Sequence, residues 1–580
     1  MNHPEIRIEA PISLINFTVM DDQALESTRK NLGLSMSPAE FRACRNYYKN
    51  TLHKDPQIEE LFLLEGLVAA ASREPEYLRL SEMKTDSALI AEIFSDLMMR
   101  RRAVIEDLEH PSSLAELIGI LNAYLSAIDK KKKPHSDIRV YFTQHRDLLL
   151  ACAKSRLIAS TGNRDLDVTI GIEPKSSPTE NAIKRGDYVF AILDTKNQPE
   201  DLEERLIAFL KEEAVRSVCK KAVPLCNRGV LHGLLQMANG LTLNTDALLR
   251  ETDTLSTLTE PSFGALITAP PSASSDMLLL ANEMGLHIIR AATVTEGREV
   301  RIPTKNGDTV FLASFLRDLT LPRVYSATVA TPTASDLDIL LSRIGTCTLN
   351  GHKHALVKTD SSGSNPFFSA LYGTLYAFLW CFAAGANPTE IEFSCHLKLP
   401  RPSPSRMGEA ISAILGLYRA QAEFELGGNT PTVEQGNEEH PSLIGVALAP
   451  LPEKAIPSAA IGGGTEIYYL EPLYDPSGIP DFDDFKRMLA YIEKLNRDGH
   501  ILSMTPTSDH LMADLKKMSR TVTVEYIQND PLSSRFGGLL VETDISIQGT
   551  AVAKTEAFLP SLGEACTAND VGTENTSAEK

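Results

Sequence analysis

Up to about Leu80 the apolar and polar residues fall into short helical pieces. Ser37-Pro38-Ala39-Glu40 supplies an N-cap, a proline for the first turn and an acid, so FRACRNYYKNTL after it is predicted to be a helix. From Ser81 to about Asn181 further amphipathic stretches follow, broken by Arg100-Arg101-Arg102 and by Lys130 to Lys133, a run read as a solvated loop before Pro134. Beyond Lys184 the period changes. Apolar runs of strand length now alternate with helix-like stretches, which predicts mixed α and β layers. Gly186-Asp187 opens the strand YVFAIL, and Pro199-Glu200-Asp201 starts a helix with Leu202, Leu206, Phe209 and Leu210 on one face. Asp276 to Glu283 reads as a short helix, and Gly285-Leu286-His287-Ile288-Ile289 as the start of a return strand.

Two longer-range patterns stand out. Ser361 to Thr389 carries no charge and holds ALYGTLYAFLWCFAAGA, but Asn365-Pro366 and Asn387-Pro388 bracket it. That leaves an apolar run of about 17 residues, short for a bilayer, and predicts a buried helix instead. The second pattern is a repeat: Phe263-Gly264-Ala265-Leu266 returns as Phe536-Gly537-Gly538-Leu539. Gly186 stands before YVFAIL and Gly464 before EIYYL, at matching distances upstream of the two Phe-Gly pairs. Two ordered landmarks at similar spacing predict an internal duplication, with Gly186 and Gly464 at equivalent strand starts and the two copies related by a pseudo-twofold.

Composition narrows the function classes. With 57 Lys+Arg against 76 Asp+Glu the net charge is -19, which argues against nucleic acid as a partner. At 580 residues the chain holds several domains. The eight cysteines form no Cys-x-x-Cys pair and the N-terminus has no basic n-region, so a cytoplasmic protein without a membrane partner is expected.

Candidate chemistry is sparse. A phosphate loop ending in Gly-Lys-Ser/Thr and a strand-led Gly-x-Gly-x-x-Gly are both missing. Gly462-Gly463-Gly464-Thr465 precedes a strand and reads as a turn, whereas the paired glycines of Leu426-Gly427-Gly428-Asn429-Thr430 would let backbone N–H groups approach an anion. His352 and His354 would share a strand face but lack a third ligand, so they read as surface histidines. Cys226 and Cys381 read as buried inert thiols; Asp483-Asp484 and Asp336 with Asp338 read as helix-start or loop charges.

Pro224 to Gly229 with Leu235 to Leu241, Phe263 to Ala269, Ala281 to Leu286, Asn365 to Ala386, Ala420-Gln421-Ala422 with Gly427-Gly428, and Pro441 to Ala447 together form a family-like series. More weakly, Ser35 to Leu64 is similar to the helical linker of the same family. The series resembles the large single-chain phosphoribosylformylglycinamidine synthase and the aminoimidazole ribonucleotide synthetase superfamily. The resemblance implies an α+β fold of tandem synthetase-like units behind a helical N-terminal segment. It divides the chain into a linker-like segment (1–80), an eroded or replaced first N-type half (81–182), a first C-type domain (183–320), a second N-type domain (321–455), a second C-type domain (456–563) and a disordered tail (564–580).

The family phosphorylates an amide oxygen with ATP and displaces the phosphate with ammonia from a glutaminase, using carboxylates and magnesium. Here Asn227-Arg228-Gly229 stands where the family has an acid after the asparagine, and Gly427-Gly428-Asn429-Thr430-Pro431 replaces its Gly-Gly-Lys-Asp-Ser loop. The His-Asn-His-Pro type of stretch is missing, and no glutaminase set follows Leu562. The resemblance therefore implies a degenerate homologue, a binding or regulatory pseudoenzyme with no catalytic or metal-binding residues assigned. Its nucleotide contacts would be Gly427, Gly428, Asn429, Thr430, Asn227 and Gly229, and its ligand ATP or ADP with magnesium, if any. The alternative is an ATP-dependent ligase subunit supplied with ammonia by a separate glutaminase; the partner implied is that glutaminase or a purine-pathway protein. A structural interaction protein unrelated to purines is the third class.

Overall fold

The structure is a computed structural model that describes residues 14–71, 79–102, 114–131, 138–142, 156–159, 168–172, 182–195, 198–225, 229–249, 255–304, 307–319, 324–332, 337–349, 351–400, 403–428, 431–435, 439–527 and 536–556. It divides into two compact units: residues 1–454 with 476–479, and residues 455–475 with 480–580.

The first unit begins with three helices, α1 (Asp22–Asn31), α2 (Pro38–Tyr47) and α3 (Ile58–Ala71). The start of α2 is the predicted capping box: Ser37 Oγ accepts from the Glu40 N–H while the Glu40 side chain accepts from the Ser37 N–H, with Pro38 in the first turn. Strand β1 (Arg79–Thr85) follows, then α4 (Ala88–Arg102), α5 (Leu114–Lys131) and a small antiparallel sheet of β2 (Ile138–Phe142), β3 (Arg156–Ala159) and β4 (Val168–Ile172), in the order β2-β4-β3. Lys130 and Lys131 end α5 rather than opening a loop, basic residues being suited to a helix C-terminus; Lys132 and Lys133 lie outside the described residues.

Next comes a seven-stranded sheet. Its strands are β5 (Tyr188–Leu193), β6 (Lys221–Leu225), β7 (Leu241–Leu243), β8 (Gly264–Ala269), β9 (Ile289–Val294), β10 (Glu299–Thr304) and β11 (Gly307–Leu312), in the order β11-β10-β7-β9-β5-β8-β6. The helices between them are α6 (Leu202–Lys211), α7 (Glu213–Val218), α8 (Val230–Met237) and α9 (Ser274–Glu283). Strand side chains alternate between faces. Val189 and Ala191 accordingly join a core with α8 and the N-terminal helices, whereas Phe190 and Ile192 join Leu206 and Phe209 of α6 and Met277 of α9. The return strand starts at Ile289, not Gly285. Residues 285–288 finish α9 instead: Gly285 takes φ +71° and the Leu286 N–H bonds back to the Ala281 carbonyl, a left-handed helix cap.

Helix α10 (Ala313–Leu319) leads to β12 (Val324–Val329), which pairs in parallel with β1. A five-stranded sheet follows, ordered β13-β14-β17-β15-β16, from β13 (Leu337–Leu349), β14 (His352–Gly363), β15 (Glu392–Leu399), β16 (Thr432–Gln435) and β17 (Ser442–Pro450). Helices α11 (Pro366–Ala383) and α12 (Pro404–Glu423) complete the layer. By length and composition α11 could cross a membrane, but every one of its residues is buried within the protein, as the bracketing Asn-Pro pairs predict. It lies close on β14 because Gly373 has no side chain: a Cβ there would stand 2.5 Å from Ser361 Oγ. His354 is buried, not a surface residue, since β14 is an interior strand; His352, near the strand's start, is exposed.

The second unit is a five-stranded sheet of β18 (Glu466–Leu470), β19 (Ile501–Pro506), β20 (Val524–Tyr526), β21 (Leu539–Thr543) and β22 (Thr550–Thr555), ordered β19-β21-β18-β22-β20, with helices α13 (Phe482–Arg497) and α14 (Leu511–Met518). Taken in chain order, its strands are arranged second, fourth, first, fifth, third. Five consecutive strands of the seven-stranded sheet, β6-β8-β5-β9-β7 counted from its β6 edge, follow the same order, with every corresponding pair antiparallel. One irregularity also corresponds, falling after Val189 in the β5–β9 pair and after Ile467 in the β18–β22 pair. Gly186 and Gly464, both at φ +85°, stand at matching strand starts. One detail differs from the sequence alignment. Register matches Gly264, opposite Leu193, with Gly538 and not Gly537, because the bend at Gly537 (φ +117°) takes up one residue.

Candidate functional site

Three places in the first unit bear on ligand binding. One is an end of the seven-stranded sheet. After Leu225 the chain passes through Cys226, Asn227 and Arg228, which lie outside the described residues, and resumes at Gly229, the N-cap of α8. Gly229 has an ordinary φ of -71°, so it is glycine for space: a Cβ would lie 2.4 Å from Thr259 Cα and 2.7 Å from the Leu258 carbonyl oxygen. Among the described residues no side chain caps this helix, so its first N–H groups present partial positive charge. At the same sheet end the Asp194 N–H donates to the Phe263 carbonyl at 2.9 Å, which sets Thr195 and Ser262 on the adjoining rung. The side-chain oxygens of both are buried with no hydrogen-bond partner among the described residues. Donor groups gathered at a helix start suit a phosphate or other oxyanion.

The paired glycines after α12 are the second place. Gly427 lies beside Glu392 at the start of β15 and accepts from the Phe393 N–H at 2.8 Å. Gly428 takes φ +145°, and a Cβ on it would stand 2.0 Å from the Phe393 carbonyl oxygen, so this glycine serves to lay the loop against the strand. Asn429 and Thr430 lie outside the described residues.

The third place was not singled out from the sequence. A cleft of about 140 Å³ opens where β14, β17 and β15 run side by side, lined by Asp360, Ser362, Lys398, Ser442 and Ile444. Register puts Asp360 opposite Ile444, and Ser442 opposite Lys398. Drug-sized ligands occupy about 300–1,000 Å³, so this cleft takes a group of only a few atoms. Beyond Ser442, at the start of α12, Arg406 Nη1 lies 2.9 Å from Glu409 Oε2 and 3.0 Å from His440 Nδ1. Gly427 and the cleft do not form one site: Gly427 pairs beside Glu392 and the cleft begins at Lys398, about 20 Å further along an extended strand. Gly229 belongs to a different sheet from either.

Nucleophiles and metal ligands are scarce. Burial pushes the thiols of Cys44, Cys381 and Cys395 far above their ordinary value, and those of Cys219 and Cys347 to about 11, so none of the five supplies a thiolate at neutral pH. Cys381 is thus the inert thiol expected. Among the described residues no group of three or more His, Cys, Asp or Glu could hold a metal. Asp483 and Asp484 sit in the first turn of α13, where their N–H groups donate to the Asp481 carboxylate at 3.0 Å each.

No family model matches the chain, and neither does any curated protein. Solved structures do. PurL of T. maritima complexed with FGAR covers 88% of this chain with 99% of its own, at 12% identity and a TM-score of 0.54. Phosphoribosylformylglycinamidine synthase II of Thermotoga maritima covers 67% with 74% of its own, at 14% identity and a TM-score of 0.51. PurL of T. maritima complexed with ATP gives the same coverage at 13% identity and a TM-score of 0.50. The chain therefore has the α+β fold of that synthase, as the sequence resemblance implied.

Proposed function

We propose that this chain is a phosphoribosylformylglycinamidine synthase-like scaffold, related to purine biosynthesis, that binds a nucleotide without carrying out the ligase reaction. The observation that carries this reading is in the sequence: Arg228 stands where the family has an acid, and Asn429-Thr430 where it has a Lys-Asp pair. ATP-dependent ligation relies on cations to neutralise transferring phosphates, and magnesium is held by carboxylates. The N–H donors at the start of α8 suit phosphate oxygens and not a cation.

Nucleotide binding is supported by the fold likeness to PurL structures complexed with ATP and with AMPPCP. Gly229 with Asn227 at the α8 start, and the Gly427-Gly428-Asn429-Thr430 loop, are the residues assigned to ATP or ADP. Matching strand orders support descent of the two C-type domains, 183–320 and 456–563, from one duplicated unit. Residues 1–80, 81–182 and 321–455 are then the linker, the first N-type half and the second N-type domain. Free thiols at Cys44, Cys219, Cys347, Cys381 and Cys395 support a cytoplasmic protein.

The test has two arms. Thermal unfolding with ATP or ADP, with and without magnesium, reads binding, since a ligand of the native state raises its stability. Turnover is then assayed with ATP, magnesium and formylglycinamide ribonucleotide, first with glutamine and then with ammonium. A nucleotide-dependent rise without product is expected. Product with glutamine alone overturns the pseudoenzyme reading, product with ammonium only establishes the split ligase with a separate glutaminase, and no thermal response removes the nucleotide.

A further inference from the structure

The Ile461–Thr465 turn of the second unit closes around a buried carboxylate. Glu542, in the middle of β21, is fully buried. Its Oε2 accepts from the Ile461 N–H at 2.8 Å and Ser503 Oγ at 2.7 Å, and its Oε1 from the Gly462 N–H at 2.8 Å and Thr465 Oγ at 2.7 Å. That gives two donors per oxygen, from two amides and two hydroxyls, with no cation among them. The remaining amides of the turn are also engaged: Gly463 and Gly464 donate to the Glu556 carbonyl, and Thr465 to Thr555 Oγ. Every N–H from 461 to 465 therefore points at an oxygen, and the left-handed backbone at Gly462, Gly463 and Gly464 makes that convergence reachable.

The corresponding corner of the seven-stranded sheet also holds a carboxylate, but from a different strand. Register matches Thr465 with Asp187 and Glu542 with Thr268. Asp187 Oδ2 accepts from the Lys184 N–H at 2.6 Å and pairs with Lys220 Nζ at 2.7 Å. The corresponding corners of the two sheets thus each hold a carboxylate, one neutralised by a lysine and the other held by turn amides and hydroxyls alone.

We infer that the Ile461–Thr465 turn, with Ser503, is a carboxylate-binding cradle whose resident ligand is Glu542, and that it takes a small free carboxylate once that side chain is withdrawn. Glu542→Ala leaves a space matching acetate, whose two carbons replace Cγ and Cδ. Phosphate is excluded in the native chain because its donors are already used.

The experiment compares wild type, E542A and E542Q in sodium acetate and in sodium chloride at equal ionic strength. E542A is expected to melt several degrees below wild type in chloride and to regain about 2–4 °C in acetate. Wild type and E542Q, whose cradle stays filled, should not respond. Hydrogen exchange at Ile461 and Gly462 should quicken at least tenfold in E542A and slow again with acetate. A melting temperature indifferent to acetate, or amides that stay protected in E542A, overturns the inference. If E542A does not fold in chloride, refolding it in acetate decides: recovery supports the cradle. No recovery, together with an S503A variant whose Ile461 and Gly462 exchange is unchanged, overturns it.

Discussion

Glu60 offers the sharpest test of how the N-terminal helices are held. It is 1% exposed, and its carboxylate accepts from Tyr48 Oη at 3.0 Å, the Gln57 N–H at 3.1 Å, Lys54 Nζ at 3.0 Å and Thr309 Oγ at 3.1 Å. One side chain thus ties the end of α2, the start of α3 and strand β11 together. Truncating it to alanine leaves the hydroxyls of Tyr48 and Thr309 buried without that acceptor, at about 1–1.5 kcal/mol each. The Gln57 N–H adds about 0.5–1 kcal/mol, since it loses an acceptor at the helix start. Lys54 is 44% exposed and rehydrates, so it adds less than about 1 kcal/mol. The expected loss for Glu60→Ala is therefore about 2.5–5 kcal/mol. Native-state hydrogen exchange over α2 and α3 reads it locally, which avoids assuming one cooperative transition for the whole chain. A double-mutant cycle with Thr309→Val should return a coupling of about 1 kcal/mol. A loss under about 1 kcal/mol, or no coupling, would show that the α2–α3 layer is held by its apolar contacts alone.

Gly408→Ala and Gly416→Ala should each destabilise the first unit by about 1–3 kcal/mol in urea titrations. Their new methyl groups would stand 1.9 Å from the Thr328 carbonyl and 2.1 Å from the Phe367 carbonyl, and backbone cannot swing aside. The Asp484 carboxyl is held below the usual carboxylate range by the Leu473 N–H, against a burial penalty, with help from Arg487. Its stabilising effect is present above the unfolded value near 4 and is lost as the pH falls through its lower folded value, so Asp484→Asn should flatten acid unfolding below about pH 4. Site-resolved alkylation of Cys219 and Cys347 should be slow at pH 8 and quicken about tenfold per pH unit toward 10, since burial sets both thiols at about 11.

Local elements were readable where the determinant lies within a few residues. The capping box at Ser37, the strand YVFAIL and the apolar face of α6 needed only local chemistry, and the repeat landmarks Gly186 and Gly464 led to two sheets of one strand order. What could not be read depends on register. Asp360, Lys398 and Ser442 form a cleft only because three strands align them, and each alone is an ordinary polar residue at a strand end. The Glu60 network includes a partner 249 residues away. His354 reads as a surface residue because its polarity is visible in the sequence and the interior position of its strand is not. The Gly285 boundary slipped because a left-handed glycine can serve either a helix cap or a strand entry.

Tyr418, fully buried on α12, donates to Asp96 Oδ2 on α4 at 2.7 Å across 322 residues of chain. Strand β1 likewise waits for β12. At a synthesis rate of about 5–20 residues per second, α4 leaves the ribosome roughly 16–60 s before α12 exists to cover it. For that interval α4, whose Ile90, Ile93 and Leu97 are buried in the finished fold, lacks the neighbouring α12. Biosynthesis of this chain therefore includes a stage at which an early apolar helix must be kept from other chains. A ribosome-associated holdase would be called on there, and slowing translation between the two segments would raise aggregation without altering the finished fold.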